Sequence, residues 1–192
     1  MLPAYAKAFF SQPPTVFGKR LLPFSLGHSF LLEAIGNPVA MCEPYAAQDA
    51  AVFALVCSLP WGEALALLND WDAHKAIVQA WGEECGGSDW AAECAKIDAY
   101  FQEALECIPP RWDRDDAKTE CKVPIQLAFF HILKGDSAIT PEVEAAIWDM
   151  PFGRAAVYSA AAGWAKGDDT LMTEKEHGLY MRVLEMQKAG AA

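Results

Sequence analysis

Trp148-Asp149-Met150-Pro151-Phe152-Gly153-Arg154 is the stretch from which the architecture of this chain can be read. A short helical run, opened by Thr140-Pro141-Glu142-Val143 with Thr as cap, closes in Trp-Asp-Met. Pro151 restarts the chain, because a missing N–H costs little in a first helical turn. The Ala-rich segment from Pro151 to Lys166 then reads as a helix, followed by Gly167-Asp168-Asp169-Thr170. Helices that end and restart at such punctuation pack side by side. The pattern serves packing or docking and supplies no catalytic group.

Working outward, the same punctuation recurs. Thr173-Glu174-Lys175-Glu176 fits a capping box and opens a last helix to Lys188. Pro124 to Lys134 is a helix ended by Gly135-Asp136. Ser88 is placed to cap a helix from Asp89 to Cys107, which Pro109-Pro110 ends. Asp70 to Glu84 precedes the break Cys85-Gly86-Gly87, and Trp61 to Leu68 follows Pro60. Between Ala46 and Ser58, Ala47, Ala51, Ala54 and Leu55 share one face, widened by Val52 and Val56, so this helix is buried on most sides. Ser25 caps a helix that ends at Gly36-Asn37-Pro38, where glycine accepts the left-handed conformation.

No segment alternates apolar and polar residues over strand length. The reading is all-α: a compact, bundle-like domain of roughly eight to ten short helices over residues 25–192. Residues 1–24 form an irregular arm, broken by Pro3, Pro13, Pro14 and Pro23, whose Phe9, Phe10, Val16 and Phe17 need cover from the body or a partner. The charged connector 109–118 is a possible seam within the domain.

Composition sets the outer limits. A 53% hydrophobic, 21% charged chain is globular, and seven Trp and ten Phe supply a core that needs neither disulfide nor metal. The net charge of −11 repels a polyanionic backbone and argues against nucleic acid. Charge is uneven: Lys7, Lys19 and Arg20 face Glu33 alone in residues 1–40, whereas residues 61–107 carry ten acids against Lys75 and Lys96. Such asymmetry steers assembly or, more simply, keeps a helical surface solvated. No apolar window is long enough to span a bilayer, and the N-terminus lacks a basic start before an apolar core, so a cytoplasmic protein without membrane contact is expected. In that compartment Cys42, Cys57, Cys85, Cys94, Cys107 and Cys121, none in Cys-x-x-Cys, read as free thiols.

Candidate chemistry is thin. Glu174-x-x-His177 is half of a carboxylate-bridged di-metal motif with no second copy, and the cysteine spacings match no zinc framework. Phosphate loops and serine elbows are absent. Asp115-Asp116 and Asp168-Asp169 serve turns more readily than catalysis. Trp61, Trp71, Trp81 and Trp90 recur at about three helical turns and line either a pocket or, more simply, a core. No metal or cofactor is expected.

Two segments together resemble a known group. Arg20-Leu21-Leu22-Pro23-Phe24-Ser25-Leu26-Gly27-His28 with Phe30-Leu31-Leu32-Glu33, and Ile147 to Pro151 with Glu174-Lys175-Glu176, resemble the two ends of small helical proteins from tailed-phage structural modules. These include tail-assembly-chaperone-like factors. Residues 85–121 lie outside the resemblance. It implies a non-catalytic protein that shields apolar segments of a tail or virion partner. The residues it puts forward for binding are Leu21, Leu22, Pro23 and Phe24 in the arm, and Trp148, Met150, Phe152 and Arg154 at the seam. Core packing is the alternative reading of each. Two other functions fit: a self-associating virion subunit, and a small helical enzyme whose site gathers His28, Glu33, Cys42 and His131.

Overall fold

A computed structural model describes Phe9 and residues 12–106 and 124–164 of the chain. Eight α-helices lie among the described residues: α1 (Leu26–Ala34), α2 (Ala47–Cys57), α3 (Trp61–Asn69), α4 (Trp71–Glu84), α5 (Trp90–Glu106), α6 (Ile125–Lys134), α7 (Pro141–Trp148) and α8 (Phe152–Trp164). A 3₁₀ turn, Cys85–Gly87, joins α4 to α5. The all-α expectation holds. The expected helix 173–188, the seam 109–118 and the Glu174/His177 pair lie outside the described residues.

Local chemistry sets the helix ends. Ser25 Oγ accepts from His28 N–H and the His28 ring accepts from Ser25 N–H, a reciprocal cap at α1. Gly36, at φ +65°, closes α1, and Asn37 N–H donates to Leu32 carbonyl at 2.8 Å. Thr140 Oγ1 accepts from Val143 N–H at the start of α7. One cap differs from expectation. Asp89, not Ser88, opens α5, its Oδ1 accepting from Ala91 and Ala92 N–H. Ser88 is committed one residue earlier, its N–H closing the 3₁₀ turn on Cys85 carbonyl.

Residues 12–24 of the arm are more regular than its prolines suggest. Strands β1 (Thr15–Val16) and β2 (Lys19–Arg20) pair antiparallel through a tight turn with Phe17 at φ 47° and Gly18 at φ 76°. This miniature hairpin is the only sheet among the described residues. Phe17 fastens it to the body. Its N–H donates to Glu93 at 2.6 Å, its carbonyl accepts from Trp81 Nε1 at 3.1 Å, and its ring lies against Trp81 and Trp90. Val16 and Phe17 thus find their cover within the chain.

The core centres on Phe24. Its ring stacks on Phe53 of α2 at 6.0 Å and meets Phe101 of α5 edge-on at 5.2 Å, with Phe152 of α8 at 6.1 Å. Each aromatic pair adds about 0.5–1.5 kcal/mol beyond the area it buries. α2 is buried along Ala50, Ala51, Phe53, Ala54, Leu55, Val56 and Cys57, as the run of small and branched residues requires.

Candidate protein-binding surface

The two segments that stand out in the sequence meet in space. Leu26 N–H donates to Met150 carbonyl at 2.9 Å, and Phe152 N–H donates to Phe24 carbonyl at 2.7 Å. Ser25 and Pro151 therefore form an isolated antiparallel bridge that locks the entry of α1 to the entry of α8. Pro151 suits this place, since its neighbours supply the donor and acceptor that the bridge uses.

Most of the expected binding residues are spent on this junction. Leu21, Phe24, Trp148 and Phe152 are buried, Leu22, Met150 and Arg154 are half-buried, and Pro23 is exposed. Leu22 is held by its backbone: its N–H donates to Cys57 carbonyl, and its carbonyl accepts from the Tyr100 hydroxyl. Trp148 forms a second aromatic stack with Trp61 at 4.7 Å and 20°, flanked by Phe130 at 5.0 Å and Phe30 at 5.2 Å. In this conformation Leu21, Phe24, Trp148 and Phe152 act as interior packing. A client reaching them would first have to open the core.

Trp61, Trp81 and Trp90 do not line one pocket, and the side chain of Trp71 lies outside the described residues. Trp61 belongs to the Trp148 stack, whereas Trp81 and Trp90 hold the hairpin through Phe17. The Trp61 stack also explains Gly27. A Cβ on Gly27 would lie 2.5 Å from Trp61 Cε3 and 3.0 Å from Trp148 carbonyl oxygen. Only a hydrogen fits there.

The scattered polar groups of the enzyme reading have distinct surroundings. His28 is buried, its Nδ1 accepting from Ser25 N–H and its Nε2 lying 2.8 Å from Leu59 carbonyl. Those partners select the neutral Nε2–H tautomer. Burial lowers the His28 pKa from its ordinary 6.5, against opposing contributions from the Leu59 carbonyl and Asp149. Glu33 accepts from Gln126 Nε2 at 2.7 Å, and Cys42 and His131 are exposed on other elements. No hydrogen bond among the described residues joins any two of the four. Cys42, Cys57 and Cys94 are free thiols. Burial pushes the Cys57 thiol and the Tyr100 hydroxyl up, keeping both neutral. Among the described residues, no group of three or more His, Cys, Asp or Glu is placed to hold a metal ion.

What the sequence did not single out is the outer side of α6. Gln126 and Phe129 are buried, while Ile125 and Ile132 are exposed on one flank of the helix and Leu127 on the other, and Ile139 follows at 58% exposure. Helical spacing could have found part of it, because Ile125, Ala128 and Ile132 fall on one stripe beside that of Phe129 and Leu133. Exposed Glu33, Asp136, Glu142 and Glu144 lie on α1, on the loop after α6 and on α7, elements that pack with or continue α6. At the other end of the junction, Arg154 and Tyr158 hold Phe9 on the outer side of α8.

No family model, curated protein or solved structure matches this chain. Among the described residues, no helix is long and apolar enough to cross a membrane.

Proposed function

We propose that the chain is a non-catalytic, tail-assembly-chaperone-like assembly factor of the cytoplasm that shields an apolar segment of a tail or virion protein. The observation that supports this reading is the exposed pair Ile125 and Ile132 on one stripe of α6, with acidic residues on the elements around it. An amphipathic helix docks by laying its apolar side on such a surface. The acidic surroundings favour a client with basic flanks and disfavour nucleic acid. In this reading the binding surface is the outside of α6 and α8, and the resemblance-derived residues Leu21, Phe24, Trp148 and Phe152 shape the scaffold beneath it.

The test is affinity capture from the native source with a high-salt wash, comparing the wild-type chain with Ile132→Asp. Salt screens loose charge contacts, so survivors are held by apolar docking. A long tail-type or virion protein kept by the wild type and lost by the variant supports the proposal. Rings formed by the purified chain would favour the virion-subunit reading instead. No retained protein would shift weight to the enzyme reading.

A further inference from the structure

The arm touches α8 at Phe9. The guanidinium carbon of Arg154 lies 5.1 Å from the Phe9 ring centroid, and Nη2 of Arg154 donates to the Phe9 carbonyl at 3.4 Å. The Tyr158 ring meets Phe9 edge-on, with centroids 6.0 Å apart. Arg154 and Tyr158 are four residues apart on α8, so their side chains share one side of the helix. The contact is built yet shallow: Phe9 keeps 37% of its surface exposed and Tyr158 keeps 44%.

These three contacts read two properties of a peptide. One is an aromatic ring, taken by the cation and by a ring edge. The other is the carbonyl of the same residue, taken by the guanidinium fork. Neither depends on which chain supplies them. A cation–π contact that stays half-exposed is weak, so another aromatic residue can compete for it.

We propose that Arg154 and Tyr158 form a docking site for an aromatic residue of a partner peptide, and that Phe9 fills this site in cis until a partner displaces it. This rests on the protein-binding reading and adds the chemistry of the partner: a segment with an accessible Phe, Tyr or Trp. Tethering gives Phe9 a high effective concentration, so the free chain is self-blocked. The arm also carries Lys7 within an acidic protein, and a partner segment with a basic residue near its aromatic would be drawn in the same way.

The test uses the full-length chain and a fluorescein-labelled peptide with the sequence of residues 6–12, against a control peptide with alanine in place of Phe9. The Phe9→Ala chain should bind the peptide roughly tenfold or more tightly than the wild type, since its own occupant is gone. The control peptide should bind neither chain. Adding Arg154→Ala or Tyr158→Ala to Phe9→Ala should each weaken binding about fivefold or more, with the thermal melt confirming that both stay folded. Equal affinity of wild type and Phe9→Ala, or binding indifferent to both further changes, overturns the proposal. A concentration-dependent dimer of the wild type that Phe9→Ala abolishes would assign the site to a second copy and also overturn it. The two readings fail separately. Peptide binding without any captured client sinks the assembly role alone, whereas a captured client without peptide binding sinks this site alone.

Discussion

Asp149 Oδ1 accepts from the backbone N–H of Trp61 at 2.6 Å, and the residue before it, Trp148, stacks on the Trp61 ring. One turn of chain therefore caps α3 and covers its first side chain. Pro60 precedes α3 and brings no side-chain acceptor of its own, so the cap comes from a distant residue. Asp149→Ala should destabilise the fold by about 1–2 kcal/mol, the usual cost of a lost cap. Asp149→Asn keeps an acceptor and should lose less. Urea unfolding of both variants checks the order, and an Asn variant as weak as Ala would show that charge, not the hydrogen bond, carries the effect.

Gly27→Ala should run against helix propensity. In an exposed helix the change is stabilising by about 0.8–1 kcal/mol. Here the new methyl meets the Trp61 ring and the Trp148 carbonyl, and overpacking of that kind costs about 1–3 kcal/mol. A net loss in a thermal melt, with altered tryptophan fluorescence, is the expected outcome. A rise in melting temperature would mean that the stack yields easily.

Stability should fall on the acid side of neutrality because of His28. Its folded pKa lies below 6.5, chiefly through burial, so below that pH the unfolded chain binds a proton that the native chain refuses. The contribution is fully present above the ordinary pKa of 6.5 and is lost as pH falls towards the folded value. One such group gives a slope of at most about 1.4 kcal/mol per pH unit. Urea midpoints measured downward from pH 7.5 check the direction, and NMR of the ring nitrogens should show the Nε2–H tautomer. Stability unchanged between pH 7 and 5.5 would contradict the account.

Folding and docking should separate by mutation. Phe24→Ala removes the ring around which Phe53, Phe101 and Phe152 gather and should lose about 3–5 kcal/mol. Ile132→Asp, on the exposed side of α6, should change stability by no more than about 0.5 kcal/mol. Denaturation midpoints decide this. A severe loss at Ile132 would place it in the packing and weaken the binding reading.

The helices were legible in the sequence because local chemistry determines their ends. Ser25, Gly36, Thr140 and Pro141 each act through the few residues around them, and each acts as expected. The hairpin at 15–20 was not legible, since two-residue strands leave no alternation to read and Phe17 takes a left-handed turn position usually left to Gly or Asn. Its stability comes from Glu93 and Trp81, far along the chain. The same limit applies to the candidate surface. Trp148 and Phe152 look like docking residues by type, but type alone does not say whether a partner or the chain's own Phe24 and Trp61 will cover them. The exposed side of α6 carries ordinary helical periodicity, and its emptiness appears only once the inner side is seen to be taken by the core.

The bridge between Ser25 and Pro151 has a consequence for the order of synthesis. A ribosome releases α1 long before Met150 and Phe152 exist, so the amide of Leu26 and the carbonyl of Phe24 wait for partners made much later in the chain. Such long-range closure is slow relative to helix formation. Until it happens, Phe24 lacks Phe152 and Trp61 lacks Trp148, and both rings present apolar surface to the cell. A protein proposed to shield others thus passes through a stage of its own birth in which it needs shielding.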